Sequence, residues 1–331
     1  MFFQKSTIAN DSNFLILIEN NLRGYNLDQI ENWEDVKCNL CGSNSLNKLF
    51  SGKDLVYKRE GFFTVVKCEN CGLMYTNPRP NQSIISNYYP DEYWEINEDY
   101  GDNESKLKHL AHQFINKIST KMDIPSEPDA KLLDIGCGDG KQLFKHKENG
   151  WITYGVEIND LAANFVREHY GLNVFTGTVE EAKFENDFFD VIILNNVLEH
   201  LFDPKTTLNE INRILKNNGT LVIGIPNANS FEAKIFKKYW SAWDLPRHLY
   251  HFTPNTIKSL LNKTGFQVLE IKFDNNPTVT LSSLRLIFEE RKINPLLGLS
   301  FSYPFSHLMS VIFAKLGRSY GISVYSTKKK I

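Results

Sequence analysis

Residues 132–140 read Leu132-Leu133-Asp134-Ile135-Gly136-Cys137-Gly138-Asp139-Gly140, an apolar run that stops at three glycines spaced two apart. A short unbroken run of leucine and isoleucine predicts a buried strand at Lys131–Ile135. The glycines that follow permit a tight turn and let backbone approach a ligand that a Cβ would hold off. An amphipathic stretch at Lys141–Asn149 leads into a second apolar run, Ile152–Val156, which ends on Glu157. Strand, glycine turn, helix and strand in that order form the building unit of a doubly wound α/β sheet.

The alternation continues outward. Strands are expected at Asn173–Phe175, Val191–Leu194, Thr220–Ile225 and Phe266–Phe273, with helices at Leu161–Tyr170, Pro204–Lys216 and Pro254–Thr264. This predicts a parallel sheet covered on both faces, with its ligand beyond the carboxyl ends of the strands. Residues 277–318 interrupt the pattern as a helical insertion, and a last strand is expected at Ile322–Ser326.

The glycine turn has a ligand chemistry of its own. A carboxylate at Glu157 can accept both hydroxyls of an adenosine ribose, each bond worth about 1.5–3 kcal/mol. A dinucleotide fingerprint needs a further glycine at position 141, where Lys141 stands, so no diphosphate cradle is indicated.

These stretches carry a family resemblance. Leu133–Gly140 resembles the first motif of class I S-adenosylmethionine-dependent methyltransferases. Phe189-Asp190-Val191-Ile192 and Val197-Leu198-Glu199-His200-Leu201 resemble the fourth-strand motif of that family, and Gly219-Thr220-Leu221-Val222-Ile223 its fifth strand. The resemblance covers roughly residues 105–327 and implies a Rossmann-like sheet with S-adenosylmethionine as methyl donor. It places Gly136 and Gly138 along the methionine moiety, with Asp134, Cys137 and Gly140 in the same loop. It places Glu157 on the ribose beside Ile158, Thr178, Val179 and Glu180 along the adenine, and Asn195 at the end of the fourth strand. Many members have an acidic residue where this chain has Thr178. Cys137 reads as a small residue of the tight loop, without a redox role.

Methyl transfer from a sulfonium needs alignment and removal of the acceptor's proton. Histidine suits that base, since it titrates near neutrality. Glu199 and His200 follow the fourth strand, and Pro246-Arg247-His248-Leu249-Tyr250-His251-Phe252 offers His248 and His251 just before a helix. Some relatives, including ubiquinone-pathway O-methyltransferases, hold a divalent metal with a Glu-x-x-Glu-His motif and a later histidine. This chain has Glu199 and His200 but Asn196 in place of the first glutamate. One carboxylate fewer weakens a hard-cation site, so the expectation is base catalysis without a metal, with Mg²⁺ as the alternative.

Cys38-x-x-Cys41-Gly42 and Cys68-x-x-Cys71-Gly72 supply four of the five cysteines. Two such knuckles predict a closed four-cysteine Zn²⁺ site with a structural or substrate-facing role. A segment this short builds little core alone, so metal is expected to supply much of its folding energy. The expected organisation is a lead-in at 1–35, a zinc-ribbon-like module at 36–78, a helical connector at 79–128 with a helix at Ser105–Met122, and the methyltransferase domain at 129–331.

With Cys71 through Pro80, the arrangement resembles bacterial methyltransferases of sugar and surface-polysaccharide pathways. That implies a sugar, nucleotide-sugar or glycan acceptor, with Tyr88, Tyr89, Tyr93 and Trp94 as a lid or packing cluster. A second reading is a lipid or quinone acceptor at a membrane, met through 295–316. There Leu308, Val311, Ile312 and Leu316 share a helical face, with Arg285, Arg291, Lys292 and Arg318 nearby. A helical cap or dimer contact is the plainer role for that stretch. A third reading is a zinc-ribbon module that binds nucleic acid or protein. Against it, Lys37, Lys48, Lys53, Lys58, Arg59 and Lys67 are scattered among acids, and the formal charge of −2 over 331 residues gives no global electrostatic reason to bind nucleic acid. The reduced cysteines, and a start without a signal-like run, predict a cytoplasmic protein.

Overall fold

The computed structural model describes residues 32–90, 129–293 and 295–329. The helix expected at 105–122, together with Tyr93 and Trp94, lies outside them. The described residues begin with five short strands: β1 (Trp33–Glu34), β2 (Leu46–Gly52), β3 (Phe63–Cys68), β4 (Met74–Thr76) and β5 (Arg79–Pro80). The alternating region follows as β6 (Lys131–Ile135), α1 (Lys141–Glu148), β7 (Ile152–Glu157), α2 (Asp160–Tyr170), β8 (Asn173–Thr176), β9 (Phe189–Asn195), α3 (Pro204–Ile214) and β10 (Leu215–Pro226). Then come α4 (Phe231–Phe236), β11 (Tyr250–His251), α5 (Pro254–Lys263), β12 (Phe266–Phe273), α6 (Thr278–Glu290), α7 (Pro295–Lys315) and β13 (Gly321–Lys328).

Local chemistry sets the helix ends. Asn159 caps α2 by accepting the Ala162 N–H, and Gly171 closes it in the left-handed conformation. Asp203 caps α3, and Thr253 caps α5 in a reciprocal pair with Thr256; each has proline at its first position.

The central sheet has seven strands in the order β12-β13-β10-β9-β6-β7-β8. Strands β6 to β10 pair in parallel, as their apolar runs predict. The expectation of a wholly parallel sheet is corrected at β13, which runs antiparallel to both β10 and β12. The register gives the reason. Gly321 at the start of β13 lies opposite Pro226, the last residue of β10, and Ile322 lies opposite Phe273, the last of β12. The α6–α7 insertion thus leaves and re-enters the sheet at its carboxyl end, and a chain that makes no crossover must return antiparallel.

Within α7, Ser306, Ser310 and Phe313 are buried, whereas Phe305, Leu308 and Ile312, with Leu316 just beyond the helix, are exposed. The apolar face read from periodicity therefore points outward, and small serines line the packed side. Among the described residues no helix is long and apolar enough to cross a membrane.

A second sheet has the order β11-β4-β3-β2. Its edge strand β11 comes from the region after β10: Tyr250 pairs with Tyr75 and His251 with Met74. One apolar core runs through both parts, since Leu40, Val66 and Tyr75 pack in the same cluster as Leu133, Ile192 and Tyr250. The cysteine segment therefore shares its core with the central sheet.

Candidate active site

Each glycine of the turn after β6 has a distinct reason to be there. Gly136 and Gly140 have positive φ, and a Cβ would stand 2.4 Å from a Val197 methyl or 2.6 Å from a Val166 methyl. Gly138 also has positive φ, but a Cβ there would meet nothing within 4 Å. Its open side leaves the backbone bare. The Gly136 N–H donates to the Val156 carbonyl at 2.7 Å, and the Gly138 N–H donates to Glu157 Oε2 at 2.9 Å. Glu157 Oε1 accepts the Asn159 N–H at 2.9 Å. This carboxylate is held at the end of β7, where a ribose would meet it.

Ile158 beside it is exposed, although isoleucine is usually buried. Asp134 lies behind the loop, where burial and the nearby Glu157 push its pKa up to about 7. Cys137 is a buried thiol packed with Leu143, Ala163 and Val166. Val179 is buried, and Glu180 accepts from the Thr207 hydroxyl at 2.7 Å, which ties it to α3. Glu181 beside it, not singled out from the sequence, holds the loop: its Oε2 accepts the Thr178 N–H at 2.8 Å.

Beyond the carboxyl ends of β9 and β10 opens a cavity of about 810 Å³. Asn195, Asn196, Asp244 and His248 form its inner wall, and α6 and Tyr57 its outer walls. The His248 Nδ1–H donates to the Ala242 carbonyl at 2.9 Å, which leaves Nε2 as the free lone pair, 4.0 Å from Glu199 Oε1 and 3.8 Å from Asp244 Oδ2. Burial lowers the His248 pKa against the pull of Asp244, so the ring is neutral at neutral pH. Burial works against the charge of Asp244, but His248 and Arg247 hold its carboxyl below the usual range.

The His200 ring stands edge-on to His248, with centroids 4.6 Å apart. Its Nδ1 faces the Arg247 carbonyl at 3.1 Å and the Tyr89 hydroxyl at 3.0 Å. Burial, reinforced by His248, pushes its pKa down to about 3. His251 sits on β11, where burial and the nearby His248 together lower its pKa. It is buried, edge-on to Trp243 at 4.9 Å, and among the described residues its Nε2 has no hydrogen-bond partner. Asp244 and Arg247 also escaped the sequence reading, although an acid three residues before an arginine was the available signal.

Two groups of side chains suit a metal. Cys38, Cys41, Cys68 and Cys71 bring their sulfurs within 4.8 Å of one another and form no disulfide. The Cys38–Cys71 and Cys41–Cys68 sulfurs are 3.4 and 3.5 Å apart. Thiolates arranged tetrahedrally around zinc stand about 3.8 Å apart, so these two pairs are within a few tenths of an ångström of that spacing. Glu199, His200 and His248 form the second group. Glu199 is buried, and neither of its carboxylate oxygens has a hydrogen-bond partner among the described residues. Burial pushes its pKa up to about 8, so the site calls for a proton or a cation.

A glycine turn bonded to an acid at the end of the second strand, on a seven-stranded sheet with its last strand reversed, defines a class I S-adenosylmethionine-dependent methyltransferase. A family model described as a methyltransferase domain matches residues 104–271, just over half of the chain, and the chain belongs to that family. An uncharacterized protein of Methanocaldococcus jannaschii is 29% identical over 140 residues, covering 42% of this chain and 66% of its own length, just under two thirds. A ubiquinone biosynthesis O-methyltransferase of Cereibacter sphaeroides is 27% identical over 182 residues, covering 51% of this chain and 74% of its own. A solved S-adenosylmethionine-dependent methyltransferase from Archaeoglobus fulgidus overlays with a TM-score of 0.43 at 20% identity, covering 67% of this chain and 93% of that one.

Proposed function

We propose that this methyltransferase transfers its methyl group to a hydroxyl of a sugar, nucleotide-sugar or glycan, with His248 as general base. The observation that carries the reading is the free Nε2 of a neutral His248 in the wall of a cavity that also presents the Asn195 and Asn196 amides. Amides and hydroxyls interleaved with apolar side chains suit a polyhydroxylated acceptor. Gly136 and Gly138 would border the methionine part of the donor and Glu157 its ribose. The donor supplies an electrophilic methyl whose departure leaves a neutral thioether. His248 then has to accept the hydroxyl proton through Nε2, while the Ala242 carbonyl keeps the ring in the tautomer that can do so.

The four cysteines would hold structural zinc, which makes the N-terminal segment a zinc-ribbon-like module. Incubation with radiolabelled S-adenosylmethionine and fractionated cell-envelope glycans, lipids and RNA tests the reading. Label in the glycan fraction, lost in His248→Ala, supports it; label confined to RNA or protein overturns it.

One observation favours a variant of this chemistry. The unpartnered Glu199, with His200 and His248, would accept a divalent cation that polarises the acceptor oxygen. Both rings are anchored at Nδ1 by backbone carbonyls, as metal-binding imidazoles usually are. A lipid or quinone acceptor is the second substrate reading, favoured by the outward Phe305, Leu308 and Ile312 of α7; label in the lipid fraction would select it.

A further inference from the structure

Arg247 is fully buried, yet each of its five N–H donors has an acceptor. Nη1 donates to Asp54 Oδ2 at 2.8 Å and to the Tyr88 carbonyl at 2.8 Å. Nη2 donates to Asp54 Oδ1 at 2.9 Å and to Asp244 Oδ1 at 2.6 Å, and Nε reaches Asp244 Oδ2 at 3.1 Å. Asp244 belongs to the same turn as Arg247. Asp54 does not: it lies between the two cysteine pairs, 193 residues away in sequence.

Asp54 is buried too, and it does more than neutralise a charge. Oδ1 accepts the N–H groups of Val56 and Tyr57, both at 3.0 Å, and Oδ2 accepts that of Arg59 at 3.3 Å. The carboxylate thereby curls residues 54–59 back on themselves. The curl sets Val56, Tyr57 and Lys58 into the cavity wall, with the Tyr57 ring 4.6 Å from the Arg247 guanidinium. On its other side Arg247 is joined to the base: its carbonyl faces His200 Nδ1, and the next residue is His248.

A buried ion pair seldom stabilises a fold more than an apolar pair of the same shape would. What a bidentate guanidinium–carboxylate fork supplies is a fixed position and orientation. We propose that the loop Asp54–Arg59 is the acceptor-selecting wall of the methyl-transfer site, and that Asp54 is a positioning residue that acts through Arg247 on His200 and His248. The inference rests on the placement of the acceptor in this cavity and deepens it, because it gives the cysteine module a direct part in choosing the acceptor.

The test compares Asp54→Asn, Arg247→Lys and Tyr57→Ala with the wild type by ¹⁵N-histidine NMR, by calorimetry with S-adenosylhomocysteine, and by label transfer onto the glycan, lipid and RNA fractions. In the wild type, His200 and His248 should each show one neutral tautomer protonated at Nδ1. Asp54→Asn and Arg247→Lys should shift the His200 signals toward mixed tautomers and lower label transfer at least about tenfold. Their S-adenosylhomocysteine affinity should stay within about threefold of the wild type, since the glycine turn is untouched. Tyr57→Ala should keep the histidine signals and redistribute label among the fractions. Unchanged His200 signals in a folded Asp54→Asn protein overturn the positioning role. Should both ion-pair variants fail to fold, Tyr57→Ala decides alone, and an unchanged label distribution there overturns the selecting wall. A wild type that labels no fraction counts against the acceptor reading, whereas the histidine spectra still test the pin.

Discussion

Gly138 and Glu157 are joined by a 2.9 Å hydrogen bond from backbone N–H to carboxylate, which ties the glycine turn to the end of β7 at the proposed donor site. A valine at position 138 would project into the open side where the backbone now stands bare, in a backbone conformation that β-branched residues avoid. Gly138→Val should weaken S-adenosylhomocysteine binding by at least about a hundredfold, a loss near 2.7 kcal/mol. Glu157→Ala removes two charged hydrogen bonds worth about 1.5–3 kcal/mol each and should cost at least about a hundredfold. Calorimetry measures both, and native affinity in the pair would refute the donor site placed here.

The four cysteine sulfurs converge within 4.8 Å, and Cys68 ends the strand beside β4. Cys68→Ser should release one equivalent of zinc per chain and lower the thermal midpoint. Because the two regions share a core that includes Cys68 and Tyr250, near-ultraviolet signals from Tyr250 should change as well. Elemental analysis and circular dichroism check this; a zinc-free wild type would contradict it.

His248 and His251 should separate cleanly. His248→Ala is expected to lower the maximal rate by about 10²–10⁴-fold with donor affinity intact. His251→Ala should instead cost stability, because its ring fills space against Trp243. Chelation mild enough to spare the thiolate site should leave activity whole if His248 works alone. Loss of activity that Mg²⁺ or Mn²⁺ restores would transfer the chemistry to a cation on Glu199, His200 and His248.

Glu232 gives a test by pH. It is fully buried, its oxygens have no hydrogen-bond partner among the described residues, and burial raises its pKa from 4.5 to about 7. The folded state therefore keeps this proton to higher pH than the unfolded chain does. Between those two values the folded state binds more protons, so stability falls as pH rises, by a total on the order of 3 kcal/mol. Glu232→Gln should remove that slope. Thermal midpoints of the two proteins, compared between about pH 5 and about pH 8, should diverge in favour of glutamine as pH rises.

The parts legible in the sequence are those specified locally. An apolar run, a glycine turn and an acid at the next strand end lie within 27 residues, so Lys131–Glu157 reads directly as a nucleotide-type site. The reversal of β13 was not legible, because strand direction depends on which end of the sheet the α6–α7 insertion returns to. Periodicity grouped Leu308, Val311, Ile312 and Leu316 on one face, but it cannot say which face turns inward when the other carries serines small enough for close packing. Asp54 gave no pattern at all. A single acid in a loop acquires meaning only when the fold brings it to an arginine 193 positions away.

The pairing of β11 with β4 also sets an order of assembly. As the chain leaves the ribosome, Met74–Thr76 is made first, and its outer edge waits for Leu249, Tyr250 and His251 to bond to it. At roughly 5–20 residues per second, that wait lasts on the order of ten seconds or more. Throughout it, a bare strand edge is open to pairing with another nascent chain. Products cut short before residue 249 keep that edge permanently and should aggregate through it, and a peptide spanning Leu249–Phe252 should suppress the aggregation by occupying the place of β11.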